Sequence, residues 1–124
     1  LEVAMELWAD VDMQELRTAS IALQEQFIKE IERDVPQLTL ASPRNSAERG
    51  SQVSFRFDDG YAAMQAVIDR GVIGDFRAPD IMRFGFTPLY IDAEDVSKAV
   101  AIIRDVMENR LWDNEKYKTR ARVT

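Results

Sequence analysis

The sequence predicts an α+β domain, in which a small antiparallel or mixed sheet carries its helices on one face. Three observations predict this class. Apolar stripes at helical spacing lie near both ends of the chain, a central segment alternates apolar and polar residues as a half-buried strand does, and two strand-like segments flank a short turn that contains proline. The predicted order of elements is α-β-β-α-β-β-α. Because 124 residues suffice for one domain with its own core, residues 1–124 are expected to form a single domain.

The first predicted helix begins at Asp12, because Asp12 and Glu15 have the spacing of a capping box and place carboxylates near the positive end of the helix dipole. It ends before Pro36. Its apolar stripe consists of Leu16, Leu23, Phe27 and Ile31, with the small residues Ala19 and Ser20 between them. Residues 1–10 are then expected to be a lead-in from a helix that joins this domain to another.

Two predicted strands flank a polar loop. Residues 37–41 form a short strand candidate, and residues 51–57 alternate apolar and polar side chains more regularly. The loop between them, residues 42–50, is rich in residues that favour turns. Arg49 in this loop is expected to be solvated, as loop arginines usually are, rather than to bind an anion.

Two further helices are predicted from their ends. Residues 58–60 stop the preceding strand and cap the second helix, which Gly71 terminates. Asp92 and Asp95 have the spacing of a capping box and open the third. The apolar faces consist of Tyr61, Met64, Val67 and Ile68 in the second helix and of Val96, Val100, Ile103, Met107 and Leu111 in the third. Residues 113–124 are expected to be a flexible tail.

Composition excludes several classes of function. The chain has 22 acidic and 16 basic residues and a net charge of -6, so it lacks the basic surface that nucleic-acid binding requires. It has neither histidine nor cysteine, which removes the commonest metal ligands and the commonest general base. No apolar run approaches a membrane span. We therefore expect no nucleic acid, membrane or metal partner. The absence of cysteine fits a cytoplasmic location.

The hairpin from Val72 to Thr87 holds the candidate site. A three-residue turn at residues 78–80 places Asp75 opposite Arg83, and this register separates apolar from charged side chains. A two-residue turn would mix them on both faces, which a half-buried sheet disfavours. The apolar face then carries Val72, Phe76, Met82, Phe84 and Phe86, and the other face carries Asp75, Arg77, Arg83 and Gly85.

Arg83 admits two interpretations. In the first, Arg83 and Asp75 form a cross-strand ion pair of small energetic value. In the second, Arg83 donates a planar, two-pronged contact to a ligand carboxylate, Asp75 orients it, and Gly85 leaves room for the ligand. The residues alone leave both interpretations open. They show no glycine-rich phosphate loop and no candidate nucleophile, and none of the four lysines has the pattern of a buried amine.

Nearly the whole chain resembles the C-terminal end of the kynureninase family. The segments that carry the resemblance are Val11 to Arg17, Ser20 to Leu23, Arg49 to Ser54, Arg70-Gly-Val-Ile-Gly-Asp-Phe-Arg77 and Arg83-Phe-Gly-Phe-Thr-Pro-Leu-Tyr90. The last two are long and unusual in composition. Members of this family have the type I aminotransferase-like fold and use pyridoxal phosphate to split kynurenine into anthranilate and alanine in tryptophan catabolism.

The resemblance implies that Arg83 binds the α-carboxylate of the substrate kynurenine, with Asp75 as its orienting partner. It also implies a longer, homodimeric, cytoplasmic parent whose large domain binds pyridoxal phosphate. The Schiff-base lysine and the phosphate-binding residues of the family have no counterpart here, so the chain alone is expected to bind no cofactor and to be inactive. The alternatives are the small domain of another class V aminotransferase-like enzyme and a stand-alone module that binds a small anion or a protein.

Overall fold

Four strands pair into one antiparallel sheet in the order β1-β2-β4-β3. The computed structural model describes residues 2–50, 52–86 and 91–118, with the backbone alone for residues 2–12. The elements are α1 (Glu2–Asp34), β1 (Thr39–Leu40), β2 (Gln52–Arg56), α2 (Gly60–Asp69), β3 (Gly74–Arg77), β4 (Ile81–Gly85), α3 (Ala93–Glu108) and α4 (Glu115–Lys118), with a 3₁₀ turn at Ser46–Glu48. The predicted α+β class is confirmed.

The core lies between the helices and one face of the sheet. Helix α1 packs on α3 and β2, and α2 packs on β3 and β4. Phe27 of α1 is fully buried, with its ring centre 5.8 Å from that of Phe55 on β2 and 5.1 Å from that of Phe84 on β4. The alternate residues of β2, β3 and β4 point to the opposite face and are exposed or half-buried. This open face of the sheet carries Arg83.

The start of α1 differs from the prediction. The helix begins at Glu2 and not at Asp12, so Asp12 and Glu15 lie inside it, and residues 2–10 belong to the same helix. No glycine or proline interrupts residues 1–34, and acidic residues in a helix interior cost little when they face solvent, as Glu15 does. The predicted stripe is correct at its centre, where Leu23, Phe27 and Ile31 are buried.

Helices α2 and α3 begin differently. Asp92 and Asp95 form the predicted capping box, in which each side chain accepts a hydrogen bond from the other residue's N–H at 2.9 and 3.0 Å. Asp59 precedes α2 but its side chain makes no capping hydrogen bond. The face of α2 that meets the core is built largely from small residues, and Ile68, predicted to belong to it, is 39% exposed. Gly71 ends α2 with φ of 98°, as predicted.

The segment predicted as a tail contains a further short helix. Residues 115–118 form α4, and Tyr117 is buried there. Its hydroxyl donates to Asp69 at 2.7 Å and accepts from Arg70 at 3.3 Å. Trp112 is also buried, with its ring 5.4 Å from that of Phe57. The buried side chains of Trp112 and Tyr117 therefore attach residues 112–118 to the rest of the domain. The rest of the predicted tail, residues 119–124, lies outside the described residues.

Gly74 is expected to tolerate no side chain, whereas Gly85 is expected to accept a methyl group. A Cβ at Gly74 would lie 2.5 Å from the carbonyl oxygen of Arg83 and 2.8 Å from Met64, while a Cβ at Gly85 would meet nothing within 4 Å. We expect Gly74→Ala to lower the free energy of unfolding by about 1–3 kcal/mol, because overpacking forces the strand to shift. Gly85→Ala should leave it within about 0.5 kcal/mol. Urea-induced unfolding of both variants measures the difference, and equal midpoints would contradict this packing.

Candidate functional site

Arg83 lies at the centre of the open face, between Asp75 on β3 and Ser54 on β2. Its Nε donates to Oδ1 of Asp75 and its Nη2 donates to Oδ2, both at 2.6 Å. The pairing of Asp75 with Arg83 and of Arg77 with Ile81 confirms the three-residue turn that the sequence predicts. The hairpin register therefore positions the guanidinium, and Asp75 fixes its plane through two parallel bonds.

Asp75 leaves much of the Arg83 guanidinium available. A guanidinium has five N–H donors, and Asp75 takes two of them along the edge that contains Nε. Nη1 donates no hydrogen bond to any residue in the described part of the chain. The Arg83 side chain is 23% exposed and that of Asp75 is 53% exposed. The Nη1 edge of Arg83 therefore has no acceptor among the described residues.

The ion pair keeps both groups charged at neutral pH. The hydrogen bond from Arg83 lowers the pKa of Asp75, partial burial opposes this, and the positive charges of Arg83 and Arg77 lower the pKa further. The same hydrogen bond raises the pKa of Arg83. Arg83 thus carries a full positive charge on a surface where Gly85, two residues along β4, leaves open space.

Asp75 is expected to stabilise the fold at neutral pH and to lose that effect in acid. Its pKa in the folded chain lies below about 3.9, the usual value in an unfolded chain, so the unfolded state takes up the proton first as the pH falls. The contribution is present above about pH 4 and disappears as the pH falls through the lower pKa of the folded state. Thermal unfolding of the chain and of Asp75→Asn should differ at pH 7 and converge in acid. A constant difference down to the lowest pH would contradict this.

Arg49 is not solvated as predicted but is buried, with 1% of its side chain exposed. Its Nε donates to Gln24 at 3.0 Å, its Nη1 donates to the carbonyl oxygens of Pro43 and Arg44 at 3.2 Å each, and its Nη2 donates to Glu25 at 2.5 Å. Each donor group of Arg49 therefore has an acceptor. This interior arginine ties the loop before β2 to α1, and none of its acceptors belongs to the Asp75–Arg83 pair.

The partners of Arg49 on α1 were not predicted from the sequence. Gln24 is fully buried and donates to Ser20 at 3.0 Å and to the carbonyl oxygen of Gly50 at 2.9 Å. Ser20 in turn donates to the carbonyl oxygen of Phe86 at 3.3 Å. The network therefore fastens the chain just before β2 and just after β4 to α1. The available signal was Gln24 itself, a polar residue inside the apolar stripe of the helix, where burial requires partners.

The described residues do not fit the pyridoxal phosphate that the resemblance implies. Lys29 and Lys98 are exposed on helices, and Lys116 and Lys118 are exposed beside acidic residues, so none is a buried amine. Within residues 13–50, 52–86 and 91–118 no group of three or more acidic side chains is arranged to hold a metal ion. No helix in the described ranges is both long and apolar enough to cross a membrane.

Comparison with known proteins agrees with the resemblance. The sequence profile of the kynureninase C-terminal domain matches residues 16–103, more than half of the chain. A kynureninase of Pseudomonas fluorescens is 45% identical over 126 aligned residues, and kynureninases of Burkholderia mallei strain SAVP1 and Burkholderia pseudomallei strain K96243 show the same identity. Each alignment covers 100% of this chain and 30% of its relative, so the chain spans less than a third of the proteins that it matches. The chain belongs to the kynureninase C-terminal domain family.

Proposed function

We propose that this chain is the small C-terminal domain of a kynureninase, and that it supplies Arg83 to bind the α-carboxylate of kynurenine. The parent enzyme would be a pyridoxal-phosphate-dependent hydrolase that releases anthranilate and alanine. The observation that carries the proposal is the state of Arg83: Asp75 holds one edge of its guanidinium, and the other edge makes no hydrogen bond with the described residues on this open face. The family membership of the chain supports the identity of the ligand.

The geometry of Arg83 suits a carboxylate that must be oriented as well as bound. Two parallel N–H donors in one plane match the two oxygens of a carboxylate, and they fix its rotation as a single ammonium group does not. Asp75 holds that plane before the ligand arrives, which reduces the ordering cost of binding. A substrate oriented in this way presents the same bond to the reacting centre in every encounter.

The remaining chemistry is assigned to residues outside this chain. Because the described residues do not form a cofactor site, we propose that pyridoxal phosphate is held by a larger domain of the same protein, and that the isolated chain is inactive. The relatives are more than three times as long as the chain, which supports this division. The partners in this proposal are that larger domain and a second copy in a homodimer, and the enzyme would act in the cytoplasm.

Expression of the complete reading frame that contains this chain tests the proposal. Its product, termed here the complete protein, is expected to hydrolyse kynurenine to anthranilate, which is followed by its fluorescence. The isolated chain is expected to show no turnover and no visible absorption band after pyridoxal phosphate is added and removed by gel filtration. A complete protein without kynurenine hydrolysis would overturn the assigned reaction, and a band or turnover in the isolated chain would overturn the division of roles.

A further inference from the structure

Ser54 is the neighbour of Arg83 on the side away from Asp75. Strands β2 and β4 pair with Ser54 directly opposite Arg83, and β3 and β4 pair with Asp75 directly opposite Arg83. The three side chains therefore form one row across the open face. In such a row the Cβ atoms of neighbouring residues lie about 4.5–5.5 Å apart, so the two residues that flank Arg83 are both within reach of a ligand bound to it.

The backbone of Ser54 is fixed, while its hydroxyl has no partner among the described residues. The N–H of Ser54 donates to the hydroxyl of Ser42 at 2.7 Å, and its carbonyl oxygen accepts from the N–H groups of Ala41 and Ser42 at 2.8 and 3.2 Å. The hydroxyl of Ser54 makes no hydrogen bond with the residues that the structure describes. Its side chain is half-buried, so it keeps contact with solvent on the same face as Arg83. A donor of this kind rotates to meet an incoming acceptor.

Asp75 and Ser54 have opposite relations to Arg83. Asp75 is an acceptor that already holds the Nε edge of the guanidinium, whereas Ser54 is a donor on the other flank. A carboxylate bound to the free edge of Arg83 uses two of its four acceptor positions and leaves the others for further donors. The hydroxyl of Ser54 is the neutral donor that the row across the sheet offers for this purpose.

We propose, resting on the carboxylate-binding role of Arg83, that Ser54 is a second substrate-binding residue, whose hydroxyl donates to the same α-carboxylate. Arg83 then binds the carboxylate through its charge from one side, and Ser54 binds it through a neutral hydrogen bond from the other. A ligand without a carboxylate leaves both donors unpaired, so Ser54 sharpens the selection of α-amino acids over their decarboxylated amines.

Steady-state kinetics of the complete protein test this role. Ser54→Ala is expected to raise KM for kynurenine about tenfold, the effect of losing one hydrogen bond to a charged acceptor, and to leave kcat and the melting temperature unchanged. Ser54→Thr retains the hydroxyl and is expected to keep KM within about twofold of the parent. If KM stays unchanged in Ser54→Ala, or if Ser54→Thr raises KM as much as Ser54→Ala does, the proposal fails.

A double-mutant cycle separates this proposal from the role of Arg83. In an Arg83→Gln background the carboxylate is no longer held in the row, so adding Ser54→Ala is expected to raise KM by less than about twofold. An undiminished tenfold effect in that background would show that Ser54 acts elsewhere and would overturn the shared contact. If Arg83→Gln alone raises KM while Ser54→Ala has no effect, only the role of Ser54 is lost. If Arg83→Gln has no effect, the proposed role of Arg83 fails.

Discussion

Replacing Arg83 with glutamine is expected to raise KM for kynurenine in the complete protein by roughly tenfold to a hundredfold. Glutamine keeps one planar donor group but removes the charge and the second prong, so the substrate loses a charge-assisted, bidentate contact. Arg83→Lys keeps the charge but loses the planar pair of donors, so we expect its KM to lie between those of the parent and of Arg83→Gln. Initial rates at varied kynurenine concentration measure both variants.

Arg77 offers a matched control for this experiment. It lies on the same open face, opposite Ile81, and its exposed side chain makes no hydrogen bond or ion pair with the described residues. Arg77→Gln removes the same charge from the same surface, so it reports the general electrostatic field without the specific contact. We expect KM to change by less than about twofold. If Arg77→Gln and Arg83→Gln raise KM equally, the substrate is attracted by a diffuse positive field and not by a bidentate contact with Arg83.

The register of the hairpin that carries Arg83 could be predicted because it depends on residues that are close together in the sequence. A shift of one residue in register moves every side chain of a strand to the other face, so the separation of apolar from charged residues specified the pairing of Asp75 with Arg83. The free edge of the guanidinium was not predictable, because it depends on how Asp75 closes on Nε and Nη2. The row that includes Ser54 requires the pairing of β2 with β4, which no local pattern specifies.

The predictions for Arg49 and for the C-terminal segment were wrong for one physical reason, since each residue concerned has partners distant in sequence. Arg49 is buried because α1, about 25 residues earlier, presents Gln24 and Glu25 to it. Tyr117 is held by Asp69, which lies 48 residues before it. The helix start predicted at Asp12 was wrong for a different reason. The spacing of Asp12 and Glu15 fits a capping box, but it also fits the interior of a helix that begins earlier. Local patterns therefore predicted the elements, while the contacts between distant segments decided which polar residues are buried.

Arg49→Met is expected to lower the free energy of unfolding of the chain by about 2–4 kcal/mol. Methionine approximates the volume of the arginine stem, so the loss comes from the acceptors left without donors rather than from a cavity. These acceptors are the side-chain oxygen of Gln24 and the carbonyl oxygens of Pro43 and Arg44. The side-chain oxygen of Gln24 is buried and, once unpaired, costs about 1–3 kcal/mol, while the part-buried carbonyl oxygens of Pro43 and Arg44 add a smaller cost. Urea-induced unfolding, followed by tryptophan fluorescence, measures the change.

Arg44 on the same loop supplies the control for Arg49. Its guanidinium pairs with Glu32, but 68% of its side chain is exposed, so water replaces the lost partner when the pair is broken. We therefore expect Arg44→Met to leave the unfolding midpoint almost unchanged, although the substitution is chemically the same. Equal losses in the two variants would mean that the loop responds to the removal of any arginine. A loss of stability confined to Arg49→Met would show that the interior network stabilises the domain. This network fastens the chain next to β2 and β4, the second of which carries Arg83.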